Sequence, residues 1–220
     1  MCGFAGFVGE VENREQVLEN MIDTIIHRGP DSSGKFVDED AALGFRRLSI
    51  IDLSESGDQP LYNEDRSKVL VFNGEIYNYQ ELREELIQAG HTFVSNTDSE
   101  TLIHGYEQWG EELVYRLRGM YAFAIWDQKA KRLFSARDIF GIKPLYYAQM
   151  NGTLMFGSEI KSFLEHPKFD KVFNEDALGN YLSFQFVPTN ETFFKGVFCV
   201  QPGHYFVYEN GKMTIKRYFE

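Results

Sequence analysis

Apolar positions along this chain fall into short strand-like runs, interrupted by a few stretches with helical spacing. Gly3 to Val8, Leu43 to Ile51 and Lys68 to Phe72 read as strands in the first third of the chain. Asn13 to Ile26 carries Val17, Met21, Ile22, Ile25 and Ile26 on one helical face, with Asn13 as the expected cap and Gln16 three residues on. A second helix is expected over Asn78 to Ala89: Asn78 caps, Glu81 completes the box, Leu82, Leu86 and Ile87 face inward, and Gly90 ends it. Leu102, Ile103, Tyr106 and Trp109 space a third helix over Asp98 to Trp109. Strand-like runs follow at 120–126, 132–136, 145–148, 153–157, 205–208 and 213–218, with a late helix near 175–182. Polar turns at Asp127 to Lys131 and at Asn151-Gly152 join neighbouring strands as hairpins. Blocks of strands separated by helices predict stacked antiparallel sheets under helical layers, an α+β fold rather than a βαβ nucleotide fold.

Composition narrows the function more than the fold. With 22 basic and 33 acidic residues in 220, the formal net charge is −11, an unfavourable field for nucleic acid or anionic membrane. No apolar run approaches the length of a membrane span, and no secretory leader is visible. Two cysteines, Cys2 and Cys199, give no disulfide framework, so a cytoplasmic location is expected. Cys199 lies in an apolar run and reads as a structural thiol; the five histidines are scattered with no metal spacing.

Chemistry enters with Cys2. Trimming of Met1 would leave its thiol and a free α-amine on one residue, a nucleophile carrying its own base. A thiol titrates near ~8.5 and an α-amine near ~7.7–8.0, so part of the amine is free to take the thiol proton at neutral pH. Were Met1 retained, that nitrogen would be an amide and the chain a silent binding module. Four further segments are polar or glycine-bearing where a core element would not need them. His27-Arg28-Gly29-Pro30-Asp31 closes the first helix and, read locally, is a helix stop. Arg46-Arg47 places guanidinium groups in an apolar strand, for a surface ion pair or for a carboxylate clamp; alternation sends the two to opposite faces. Asn73-Gly74 reads either as a strand-to-helix turn or as an oxyanion hole made of the Asn amide and the Gly N–H. Asp98 opens the third helix, as a cap or as a receptor for an ammonium group.

Taken together, Met1-Cys2-Gly3, His27-Arg28-Gly29-Pro30-Asp31, Arg47-Leu48-Ser49-Ile50, Asn73-Gly74-Glu75-Ile76-Tyr77-Asn78, Thr97-Asp98-Ser99-Glu100, Arg137-Asp138 with Gly141 and Lys143-Pro144-Leu145-Tyr146-Tyr147, and Ser158-Glu159-Ile160-Lys161 run in one family's order. The chain resembles the N-terminal glutaminase domain of glutamine-dependent asparagine synthetases, class II glutamine amidotransferases of the N-terminal-nucleophile hydrolase superfamily. The resemblance spans residues 1–220 and implies a four-layer αββα sandwich. It implies hydrolysis of L-glutamine to glutamate and ammonia, with Cys2 as nucleophile and Asn73 and Gly74 as the oxyanion hole. Arg47, Leu48, Ser49, Ile50, Ile51, Glu75 and Asp98 would form the glutamine pocket, Arg47 meeting the α-carboxylate and Asp98 the α-ammonium. Arg28 and Asp31 would support that pocket. Arg137, Asp138 and Lys143 would brace the core or face a synthetase domain.

No metal or cofactor is implied for this domain. ATP and magnesium would belong to a C-terminal synthetase domain, whose Ser-Gly-Gly-x-Asp-Ser loop has no counterpart in this sequence. That domain is the expected partner, with a homodimer also in view. Amidotransferase domains of enzymes that make a different amide share much of the pattern and form the alternative.

Overall fold

The computed structural model describes residues 2–48 and 57–220. Its first sheet is built from β1 (Gly3–Val8), β2 (Ser32–Val37), β3 (Ala41–Arg47), and, after the second sheet's first four strands, β8 (Tyr146–Met150), β9 (Thr153–Gly157) and β10 (Val197–Cys199). The second contains β4 (Leu61–Tyr62), β5 (Lys68–Ile76), β6 (Gly119–Asp127), β7 (Arg132–Arg137), β11 (His204–Glu209) and β12 (Lys212–Arg217). Their orders are β10-β8-β9-β1-β3-β2 and β12-β11-β7-β6-β5-β4, with all pairings antiparallel. β1 and β5, which carry the candidate chemistry, therefore lie inside their sheets.

Three apolar cores explain the layering. Phe4 and Val8 of β1, Leu43 and Phe45 of β3, Val69 and Val71 of β5, and Ala122, Ala124 and Trp126 of β6 pack between the sheets. The alternate residues of the first sheet, Ala5, Phe7 and Ala42, meet Val17, Leu18, Met21 and Ile22 of α1 (Arg14–Asp23). On the far side, Leu70, Phe72, Phe123, Ile125 and Phe134 meet Leu82 of α2 (Tyr79–Gln88) and Leu102, Ile103 and Tyr106 of α3 (Asp98–Trp109). Strands buried on both faces follow directly from this helix–sheet–sheet–helix stack. α4 (Glu175–Phe184) lies at one side and leaves Leu182 exposed.

The elements expected from periodicity are present, and the differences are local. α1 stops at Asp23 and gives way to a 3-10 turn over Ile26–Arg28, so Ile26 is exposed rather than packed. Asn13 adopts a left-handed conformation and its side chain caps nothing. Asn78 does not cap α2 either; its amide donates to Arg116 O and its carbonyl accepts from Arg118 N–H, tying down the approach to β6. Ile87, expected inside, is half exposed, while Gly90 closes α2 with a positive φ and the His91 N–H bonds Leu86 O. β2 and the two-residue β4 carry no alternation that would announce them. The Asn151-Gly152 turn has positive φ at both positions, as a two-residue hairpin requires.

Candidate active site

Side-chain alternation sets the site before any contact is considered. Cys2 packs with Phe4 against the inter-sheet core, and Leu43 and Phe45 put Arg47 on that same side of β3. Val69 and Val71 do the same for Asn73 and Glu75 on the facing sheet. Cys2, Arg47, Asn73 and Glu75 thus project into one end of the space between the sheets. Arg46 goes the other way: its guanidinium donates to Ile22 O at 3.2 Å and pairs with Asp23 on α1. The expectation that the two arginines divide between faces is correct, and Arg47 is the inward one.

Leu48 N–H donates to Cys2 Sγ at 3.3 Å, and the thiol points back to Leu48 O at 3.5 Å. Below it, Arg28 Nε donates to Cys2 O at 3.0 Å and Arg28 Nη1 to Glu159 at 2.9 Å. A Cβ at position 3 would come within 2.7 Å of Arg28 Cδ, so glycine lets the arginine pass under the strand. The His27–Asp31 segment therefore does more than stop a helix: it anchors the backbone of Cys2, and Asp31 N–H bonds Arg47 O at 3.0 Å.

Arg47 is buried and pairs with Asp58 at 2.8 Å. Asn73 is 2 % exposed and its amide nitrogen has no hydrogen-bond partner among the described residues. A buried donor without an acceptor is costly in a fold that otherwise satisfies such groups. Asn73-Gly74 is not a turn; both residues lie within β5, paired with Ala122 and Tyr121 of β6. Glycine is needed at 74 because a Cβ would meet the β6 backbone, 2.7 Å from Tyr121 Cα. Backbone direction adds a second donor. Phe72 N–H is taken by the Gln59 side chain at 2.6 Å, and Ile76 N–H by Asp98 at 2.8 Å. Gly74, midway between them, shares their direction along the edge of β5 beyond β4.

Asp98 is the first residue of α3, with Thr97 in the cap position, and its carboxylate accepts the Ile76 N–H at 2.8 Å. Burial, and the nearby charge of Glu75, push it up to about 6 despite the Ile76 hydrogen bond. Lys143 is buried too. Burial, and then the charge of Arg28, push its ammonium down, against the opposing pull of Asp138, Glu75 and Cys2. Asp138 and Arg137 are scaffold. The Asp138 carboxylate, fully buried, accepts backbone N–H groups of Tyr121, Phe140, Ile142 and Lys143. Arg137 donates to the carbonyls of Gly141, Lys143 and Val200 and to Cys199 Sγ at 3.0 Å. Cys199 is thus half-buried and engaged by an arginine rather than sealed in a strand.

Gln59, Asp58 and Glu159 contribute to the site's frame, and local pattern did not single out Gln59 or Asp58. Their partners lie 11 to 131 residues away in sequence, so no short-range signal exists. Ser49, Ile50 and Ile51 lie outside the described residues, as does Met1.

A glutamine amidotransferase domain model matches residues 1–219. The chain is 46% identical over 226 residues to asparagine synthetase [glutamine-hydrolyzing] 1 of Bacillus subtilis, covering 100% of this chain and 35% of that protein. It is 38% identical to the amidase chyE of Penicillium rubens, over 94% of this chain and 32% of that one. The chain therefore spans about a third of the length of the curated relatives it matches. Among solved structures, the glutamine phosphoribosylpyrophosphate amidotransferase of B. subtilis superposes with a TM-score of 0.73 at 21% identity, covering 99% of this chain and 49% of that one; at this identity the likeness concerns the fold. With the family model matching nearly the whole sequence, the chain belongs to the glutamine amidotransferase domain family.

Proposed function

We propose that this domain hydrolyses the side-chain amide of L-glutamine at Cys2 and supplies the ammonia to an ATP-dependent, asparagine-forming part of a larger enzyme. The observation that carries the reading is the convergence of Cys2, Arg47 and the Asn73 amide, unpartnered among the described residues, on one end of the inter-sheet space. In the proposed reaction the Cys2 thiol gives its proton to the α-amine exposed by loss of Met1, and sulfur attacks the amide carbon. The carbonyl oxygen becomes an oxyanion, received by Asn73 Nδ2 and Gly74 N–H. Collapse breaks the C–N bond, and the α-ammonium returns the proton to the leaving ammonia. Water, deprotonated by the same amine, then releases glutamate from the γ-glutamyl thioester.

At the other end of the substrate, Arg47 meets the α-carboxylate with its planar guanidinium fork. Asp98, at the rim beyond β5, receives the α-ammonium. Leu48, with Glu75, lines the path between them. The amidase relative favours a second reading in which the same half-reaction feeds a different amide-forming partner; the acceptor then differs and the chemistry here does not.

Intact-mass analysis after incubation with a glutamine-mimicking diazoketone tests the proposal. The expected result is a chain lighter by one methionine carrying one adduct on Cys2. A processed chain that takes no adduct would overturn the glutaminase reading.

A further inference from the structure

Two of the five histidines, His91 and His104, meet in space. Folding brings His91, just beyond α2, to His104 on α3 and to Glu64 in the turn between β4 and β5. One ligand-capable atom from each lies within 4.8 Å of the other two, well away from the Cys2 end of β1. The rings are 5.2 Å apart between centroids, and Phe93 packs on His104 at 4.6 Å.

The orientation of the two imidazoles is the informative feature. Each presents its Nε2 to a fixed acceptor: Glu100 Oε1 lies 3.6 Å from His104 Nε2, and Gln108 Oε1 lies 3.1 Å from His91 Nε2. Glu100 is itself immobilised, accepting from Val94 N–H, Ser95 N–H and Ser95 Oγ. Both Nδ1 atoms then converge on a common point marked by Glu107 Oε2, at 3.2 Å from His104 and 4.0 Å from His91. Glu64 Oε1 lies 3.7 Å from His104 Nδ1, and the other Glu107 oxygen is fixed by Asn63 at 2.7 Å. An imidazole held by one nitrogen to an oxygen acceptor, with the other nitrogen turned to a shared centre, is the arrangement of a metal-ligating histidine with its outer support.

From this geometry we infer a site for a borderline-soft, zinc-class divalent cation, ligated by His91 Nδ1, His104 Nδ1 and Glu64, with Glu107 as fourth ligand. Bonds of about 2.0–2.2 Å put tetrahedral ligand atoms roughly 3.3–3.6 Å apart, so the present spread closes by about 1 Å. The exposed Glu64 side chain, on a turn, supplies that movement. The ion replaces any proton on the two Nδ1 atoms, which passes to water, and takes over the balancing of Glu107 that His104, and then Lys68, otherwise provide. The bound ion would staple α3, which starts at Asp98, to the end of α2 and to the β4–β5 turn. Its role is structural and separate from the thiol chemistry.

Cobalt titration of the full chain, followed by visible spectroscopy, tests this directly. One equivalent should give ligand-field bands without a thiolate-to-cobalt charge-transfer band, and zinc should displace it while raising the melting temperature. His91→Gln should weaken binding at least tenfold and abolish the zinc-induced rise, and Glu64→Gln should weaken it with unchanged circular dichroism. Absence of stoichiometric binding, binding indifferent to both substitutions, or a thiolate charge-transfer band from Cys2 or Cys199 would each overturn the inference.

Discussion

Asn73 presents a case in which stability and function can be separated at one atom. Its side-chain nitrogen is buried and has no partner among the described residues, so its removal deletes no bond seen there. Asn73→Ala should lower kcat for glutamine hydrolysis by about 10²–10³-fold while leaving the melting temperature nearly unchanged. A large loss of stability with intact turnover would refute the oxyanion role. Asp98 behaves in the opposite sense. Its carboxyl sits at about 6, above the ordinary carboxylate value, so between those two values the folded chain holds a proton the unfolded chain has lost. Stability from this group therefore falls as pH rises through that window. Asp98→Asn, which can still accept the Ile76 N–H, should stabilise the domain at pH 7 by on the order of 1 kcal/mol and abolish productive glutamine binding. In the unmodified chain, KM for glutamine should rise as pH drops below about 6 and the ammonium loses its anion; a flat KM from pH 5 to 7 would remove Asp98 from the pocket.

Among the elements, β5 and the segment after β7 do most to shape the site. β5 outruns β4, and its free edge is completed by two side chains, Gln59 and Asp98, instead of a strand. Asp138 does comparable work beyond β7, drawing four backbone N–H groups onto one carboxylate. Asp138→Ala should cost at least about 3 kcal/mol in urea unfolding, because buried donors are left without acceptors. If the cost were under about 1 kcal/mol, the loop would not depend on it. The elements also show what pattern reading can and cannot reach. Short continuous apolar runs found β1, β5, β6, β7 and β9, since both faces of those strands meet an apolar core. Side-chain alternation along a strand placed Arg46 and Arg47 on opposite faces. Caps were less legible: Asn13 and Asn78 have the right chemistry, but long-range partners claim Asn78, and Asn13 turns into a left-handed conformation. Gln59 was invisible because its role lies in a strand thirteen residues away, and Asn73-Gly74 looked like a turn because the close approach of β6 mimics the demand for a small residue.

Over the whole molecule, function depends on the relation between two sheets. Cys2 belongs to the first and Asn73 to the second, and among the described residues the sheets are linked near the site by Arg47–Asp58 and by the adjacent Gln59 bonded to Phe72. Their separation is set by what fills the interior, where β6 contributes only Ala122 and Ala124 beside Asn73 and Val71. Ala124→Leu should cost about 1–3 kcal/mol of stability as an overpacked core. It should also depress kcat more than KM, because nucleophile and oxyanion donor would be wedged apart while Arg47, in the same sheet as Cys2, keeps its place. Equal stability loss with undiminished kcat would show that the sheets adjust without spreading.

Arg28 reaches under Gly3 to hold the carbonyl of Cys2, and this has a consequence for how the domain can be made. A preceding peptide leaves that grip untouched, since it acts on the oxygen and not the nitrogen. Maturation would then be a change of chemical state at an already assembled locus: the scaffold waits, and an aminopeptidase supplies the last functional group.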